Sequence, residues 1–165
     1  MNKKIFSENF NLSSYTTIKV GGIAEYFAEP RSIKDFLYLI KWANLNKKRC
    51  QIIGAGSNLL INNIFIKGLV VCTRKIKSLT IDSCSGIVEA EAGVMLPTLS
   101  NALAKNGLQG GEWAVGIPGT VGGAIFMNAG TGNLSLAKNL ISVKVINNKT
   151  HQKIEIEKKD LNFDY

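Results

Sequence analysis

A chain of 165 residues that is 45% hydrophobic and 19% charged carries enough apolar material for one core, or two small lobes sharing one, which excludes a disordered chain. The net charge of +8 admits anionic partners. The basic residues are nonetheless scattered (Lys47-Lys48-Arg49, Arg74-Lys75 with Lys77, Lys158-Lys159) and no aromatic residues interleave with them, which argues against a nucleic-acid platform.

Met1 to Phe10 lacks the apolar core of a secretory signal, and no apolar 20-mer follows anywhere, so the expected setting is cytoplasmic, without a membrane span. Residues 1–15 read as a lead-in. Thr16-Thr17 before Gly21-Gly22 either lines a turn or turns two hydroxyls toward a ligand. Glu25 to Glu29 is a short strand. Ser32-Ile33-Lys34-Asp35 resembles a capping box with Asp in place of Glu, and Ile33, Phe36, Leu37, Ile40 and Ala43 follow at helical spacing, predicting a helix over 32–46.

Cys50 to Ile53 reads as a buried strand running into Gly54-Ala55-Gly56-Ser57-Asn58. Leu59-Leu60-Ile61 and Leu69 to Cys72 are further strand candidates. A lobe boundary falls near residues 73–76. Beyond it, Ser78 to Asp82 and Ile87 to Ala92 predict a hairpin, and Leu96 to Asn106 a helix closed by Gly107 at a left-handed position. Leu140 to Ile146 and Lys153 to Glu157 predict a second hairpin. The three cysteines show no C-x-x-C spacing and read as reduced thiols; His151 stands alone in a polar turn, and no metal-ligand cluster is visible.

Residues 107–135 hold nine of the sixteen glycines and a single charged residue, Glu112. Glycine admits positive φ and close backbone approach at an entropic cost in folding, so such a stretch suits a ligand held by main-chain N–H groups. Two common nucleotide motifs are excluded. Gly54-Ala55-Gly56-Ser57-Asn58-Leu59 has leucine where a dinucleotide fingerprint needs its third glycine, with Leu-Leu-Ile in place of a helix start. Gly116-Ile117-Pro118-Gly119-Thr120-Val121-Gly122-Gly123 lacks the Gly-Lys-Ser/Thr ending of a P-loop. Each stretch can be an anion-binding cradle, with Ser57, Asn58 and Thr120 adding polar side chains; each can also be a tight turn or backbone crossing. Asn128 could donate to a carbonyl or a ring nitrogen. No nucleophile–His–acid set is visible, which suits an enzyme whose cofactor carries the chemistry.

The chain resembles the UDP-N-acetylenolpyruvoylglucosamine reductases, flavoenzymes of peptidoglycan precursor synthesis. The matching segments occur in order: Tyr15 to Gly22, Ile53 to Leu60, Ala92-Gly93, Gly116 to Ala124, and Met127 to Gly130. The resemblance implies an α+β, two-lobed FAD-binding fold of the p-cresol methylhydroxylase/vanillyl-alcohol oxidase type. Its first lobe would span 16–73 and its second 74–165, the second incomplete and the substrate-binding domain absent. By the same resemblance Gly54, Ala55, Gly56, Ser57, Asn58 and Leu59 would wrap the cofactor together with Gly116, Ile117, Pro118, Gly119, Thr120, Gly122, Gly123 and Ala124. Asn128 and Gly130 would lie near the flavin, and Thr16 and Thr17 near the substrate. NADPH would be the hydride donor and a UDP-sugar the substrate. The family's catalytic arginine, serine and glutamate would fall beyond Tyr165, so the 165-residue polypeptide alone is expected to bind FAD weakly and to lack activity. The alternatives are an FAD-linked oxidase of another substrate class, and a basic nucleotide- or nucleic-acid-binding module.

Overall fold

The computed structural model describes residues 5–62 and 64–163. Its first layer is a four-stranded sheet built from β1 (Ser7–Asn11), β2 (Ile23–Ala28), β3 (Cys50–Ile53) and β4 (Phe65–Cys72), in the order β1-β2-β4-β3. β1 pairs antiparallel with β2, while β4 is parallel to both its neighbours. A central parallel strand has both faces covered, which is why Leu69, Val70, Val71 and Cys72 form an unbroken buried run.

α1 (Ile33–Leu45) lies on one face of this sheet. Ser32 caps it as the sequence predicts. Its Oγ accepts from the Asp35 N–H at 3.1 Å and donates to the Asp35 carboxylate at 2.8 Å. Phe36, Leu39, Ile40 and Ala43, spaced at three and four residues, meet Ala28, Leu69 and Val71 in one core cluster. The opposite face buries Leu12, Ala24, Phe27, Ile53, Val70 and Cys72. Each large side chain so buried stabilises the fold by about 2 kcal/mol before entropy is counted.

Two strand expectations are corrected. β3 is an edge strand and not a buried one, with Gln51 and Ile52 in solvent, because only β4 flanks it. Leu59-Leu60-Ile61 is not a strand. β3 and β4 are parallel, so the chain must return from the end of one to the start of the other, and these residues make that irregular crossing with Leu60 83% exposed. The lead-in over residues 1–15 also carries a strand, β1, on the free edge of β2.

The rest of the chain is built on shorter pieces. β5 (Leu79–Asp82) and β6 (Ile87–Ala90) form the expected hairpin, and α2 (Leu96–Lys105) the expected helix. Gly107, at φ +68°, ends α2. The Leu108 N–H reaches the Leu103 carbonyl and the Gly107 N–H reaches Ala104, which satisfies two carbonyls the helix leaves open. α3 (Val121–Phe126) falls inside the glycine-rich stretch. β7 (Gly130–Thr131) and β8 (Leu134–Ser135) pair briefly, α4 (Leu136–Asn139) follows, and β9 (Ser142–Ile146) pairs antiparallel with β10 (Lys153–Glu157). Val94, Leu96, Ala114, Val121 and Ala124 form the core of this part.

The β9–β10 hairpin folds back onto α1. Ile146 packs against the α1 core, and the Asn44 amide donates to the Asn148 carbonyl at 2.9 Å and meets His151 Nε2 at 2.9 Å. His151 is therefore half-buried at a contact and not a free surface residue. Of the C-terminal tail, Asp164 and Tyr165 lie outside the described residues.

Candidate functional site

The two glycine motifs, some sixty residues apart in sequence, meet in space. β3 ends at Ile53, which delivers Gly54–Asn58 to the C-terminal edge of the parallel sheet. The Ser57 hydroxyl donates to the Pro118 carbonyl at 2.8 Å. Gly54 lies against the Thr120 hydroxyl so closely that a Cβ at Gly54 would overlap it. Gly56, at φ +71°, backs onto the Tyr15 carbonyl with no room for a Cβ, and its own carbonyl accepts from the Thr17 N–H at 3.3 Å. The Thr16–Thr17 segment thus closes the third side of the junction.

The second loop is stitched in place from behind. Leu96 N–H donates to Gly119, Val121 N–H to Val94, and Gly122 N–H to Ala92, all at 2.8–2.9 Å. These bonds fix Gly119–Gly122 against the segment containing Ala92-Gly93. Thr120 then caps α3, its Oγ1 accepting from the Gly123 N–H at 3.4 Å. α3 was not foreseen because Gly122 and Gly123 are poor helix formers. The signal was present: a threonine N-cap followed by Val121, Ala124 and Ile125 at helical spacing.

Not every expected side chain faces outward. Thr120 is 1% exposed, and its hydroxyl is engaged in the cap. Ala124 is buried in the core. Thr16 is 2% exposed, and its hydroxyl donates to the Val20 carbonyl at 2.7 Å, as a turn residue does. Thr17, Ser57, Asn58 and Leu59 are at least partly open, as are Gly116, Ile117 and Gly130.

Main-chain donors are available at this junction. Among the described residues, the N–H groups of Ala55, Gly56, Ser57 and Asn58 meet no protein acceptor, nor does that of Gly119. Four consecutive free N–H groups on a glycine turn suit a phosphate. A second unmet group points the same way. Asn128 follows α3 at φ +45°, with Ala129 N–H bonded to the Ala124 carbonyl at 2.8 Å. This is the cap that Gly107 makes on α2, built here with asparagine. Its side-chain Oδ1 is buried and has no partner. An orphaned buried acceptor costs about 1–3 kcal/mol unless a donor arrives. Phosphate, and a ring that donates N–H, are both features of a flavin dinucleotide, so the residues present fit FAD.

Beside the junction lies a charged cluster. The Arg74 guanidinium sits over the Tyr15 ring at 4.5 Å, and Lys75 pairs with Glu29 at 2.7 Å. Burial pushes the Tyr15 hydroxyl up to about 12, helped by its hydrogen bond to Glu29. Burial works to raise the Glu29 carboxyl as well, but hydrogen bonds from Lys75 and Tyr15 outweigh it and hold that carboxyl below the usual range. Cys72, buried beside these residues, donates to the Gly54 carbonyl at 3.6 Å. Among the described residues no group of histidine, cysteine and carboxylate could hold a metal, and no helix is long and apolar enough to cross a membrane.

The chain is similar to several known proteins. A reductase from Prochlorococcus marinus subsp. pastoris, named UDP-N-acetylenolpyruvoylglucosamine reductase, is 68% identical over 160 residues, or 97% of this chain and 54% of its own length. The crystal structure of a UDP-N-acetylenolpyruvylglucosamine reductase from Thermus caldophilus superposes with a TM-score of 0.77 at 29% identity, over 97% of this chain and 56% of its own. A 6-hydroxy-D-nicotine oxidase from Arthrobacter nicotinovorans, at 20% identity over 88% of this chain and 32% of its own, shares the fold with a TM-score of 0.68. The chain spans about half the length of the curated relatives it matches. The α+β fold is the FAD-binding fold of the vanillyl-alcohol oxidase type. A family model described as FAD binding domain matches residues 24–152, which take in both glycine loops and Asn128, and the chain belongs to that family.

Proposed function

We propose that this polypeptide is the flavin-holding half of a reductase that converts UDP-N-acetylglucosamine enolpyruvate to UDP-N-acetylmuramate for peptidoglycan. The observation that carries the proposal is the junction of the two glycine loops through Ser57 and Pro118, beside the unmet Asn128 Oδ1. The 68% identity to a protein of that name supports the choice of substrate.

In this reading Gly54, Ala55, Gly56, Ser57, Asn58 and Leu59 hold the pyrophosphate, with the consecutive N–H groups of Ala55 to Asn58 as the donors. Gly116 to Gly123 follow the ribityl chain, Thr120 by main chain alone, while Ala124, its N–H and carbonyl both bonded within the fold, supports the loop from the core. Asn128 accepts from the flavin ring, with Gly130 beside it. Thr16 and Thr17 stand near the substrate, the Thr16 hydroxyl bonded within its turn and the Thr17 hydroxyl donating to the Gly56 carbonyl at 3.5 Å. Residues 16–73 and 74–165 act as two lobes, with 1–15 feeding β1 into the first. Bound there, FAD would relay hydride from NADPH to the enolpyruvyl double bond. The partners are small molecules in the cytoplasm, with no nucleic acid or membrane among them.

The test is a titration of the 165-residue polypeptide with FAD, followed by quenching of flavin fluorescence. Saturable quenching that is lost in Ser57→Ala with Gly119→Ala supports the site. Quenching that those changes leave intact sinks it. We expect no NADPH oxidation dependent on the enolpyruvyl substrate from this polypeptide by itself. Turnover under those conditions would show that its own residues complete the catalysis.

A further inference from the structure

At the end of the sheet opposite the glycine loops is a second cleft, of about 410 Å³, lined by Glu25, Lys47, Lys48, Arg49, Phe65, Lys67 and Gly68. It lies where β3 and β4 begin. The four residues of β3, at 3.3 Å each, separate it from Gly54 by about 13 Å.

Its charges are not self-cancelling. Lys48 is taken by Glu25, whose other oxygen accepts from the Gly68 N–H at 2.7 Å. That pair fixes the floor. Lys47, Arg49 and Lys67 are exposed, and none makes an ion pair among the described residues. Two elements converge to place them: the turn after α1 carries Lys47 at φ +52° and leads to Arg49, and β4 carries Lys67. Gly68, at φ +100°, lets β4 press onto the Arg49 carbonyl, which also accepts from Leu69 N–H at 2.8 Å. Phe65, 49% exposed, borders the same cleft.

Three unpaired cations in a concavity favour a multiply charged phosphate. A half-open aromatic ring beside them offers a stacking face to a base. The volume falls in the range of small-ligand clefts, about 300–1,000 Å³, and suits a compact ligand better than an acidic peptide. We propose that Lys47, Arg49 and Lys67, with Phe65, form a second site that binds a nucleoside diphosphate, separate from the flavin junction.

The probes are ADP and inorganic pyrophosphate, each titrated into the 165-residue protein while backbone amide shifts are recorded. With ADP, saturable shifts are expected at Lys47, Arg49, Lys67 and Gly68, with affinity falling steeply as salt rises. Pyrophosphate should shift the same amides about ten-fold more weakly, since it lacks the base. Arg49→Glu with Lys67→Glu should weaken ADP at least ten-fold. Lys105→Glu, a charge reversal on α2, should leave it within two-fold. Phe65→Leu should erase the advantage of ADP over pyrophosphate. Shifts confined to residues 54–58 and 119–120, no saturation, or equal loss in the Lys105 variant would each overturn the site. Equal affinity for the two probes would overturn the nucleoside assignment.

Discussion

Asn128 and Gly107 hold the same position in the same helix cap, and only one of them has a side chain. Glycine reaches positive φ without the strain that a Cβ brings, so the asparagine costs stability that the cap does not need. Its buried, unmatched Oδ1 adds to that cost. Asn128→Gly is therefore expected to keep or raise the thermal midpoint of the ligand-free protein while weakening FAD at least ten-fold. A midpoint that falls in that variant would mean the amide serves the fold. Tyr15 makes a second residue-scale prediction. Its hydroxyl titrates near 12 instead of 10, because burial and the Glu29 bond favour the neutral form. A raised folded value means that its contribution is complete below pH 10 and is lost as pH climbs from 10 through 12. Glu29 works in the opposite sense. Its depressed carboxyl contributes above the ordinary carboxylate range, and that contribution disappears as pH falls through the folded value. In an alkaline titration of tyrosinate absorbance, Tyr15→Phe should remove a step near pH 12 and reduce the loss of stability above pH 10.

The junction of the loops depends on which element carries each of them. β3 must end where it does for Gly54–Asn58 to reach Pro118, and Gly56 must be glycine for the loop to lie on the Tyr15 carbonyl. Gly56→Ala is expected to cost about 2 kcal/mol or more, from positive φ and the overlap together. That corresponds to a fall of about 4–8 °C in thermal midpoint, measurable by circular dichroism. At this scale the sequence was legible wherever local chemistry decides. Ser32, Gly107 and the β-hairpins follow from caps, turn residues and alternation. Elements decided by distant partners were not legible. The apolar run Leu59–Ile61 looks like a strand, but the parallel pairing of β3 with β4 makes it a crossing. α3 was hidden because Thr120 and the bonds that Val121 and Gly122 donate to the Val94 and Ala92 carbonyls hold a helix that Gly122 and Gly123 would not form alone. The glycine loops themselves were readable as cradles. That they touch each other, and that Thr120 turns inward, depends on contacts across the fold.

Over the whole molecule, two of the three cores are opposite faces of one sheet, and the thiols report on how each part is packed. Cys84 is exposed in the β5–β6 turn, Cys72 is buried, and Cys50 is half-buried with burial pushing its thiol up to about 11. Alkylation at pH 8 should label Cys84 first, with Cys50 and Cys72 following only as the fold opens. Equal labelling of all three in the native protein would contradict the packing of β3 and β4. The tie from Asn44 to Asn148 and His151 bears on how the chain reaches this state. Its partners are separated by 104 and 107 residues. A chain emerging in sequence order would have α1 in place long before the hairpin that covers its exposed end exists. Contacts of such separation slow folding, because loop-closure entropy must be spent before they form. The first sheet is therefore expected to assemble early, with the return of the β9–β10 hairpin to α1 as the last and slowest step of refolding.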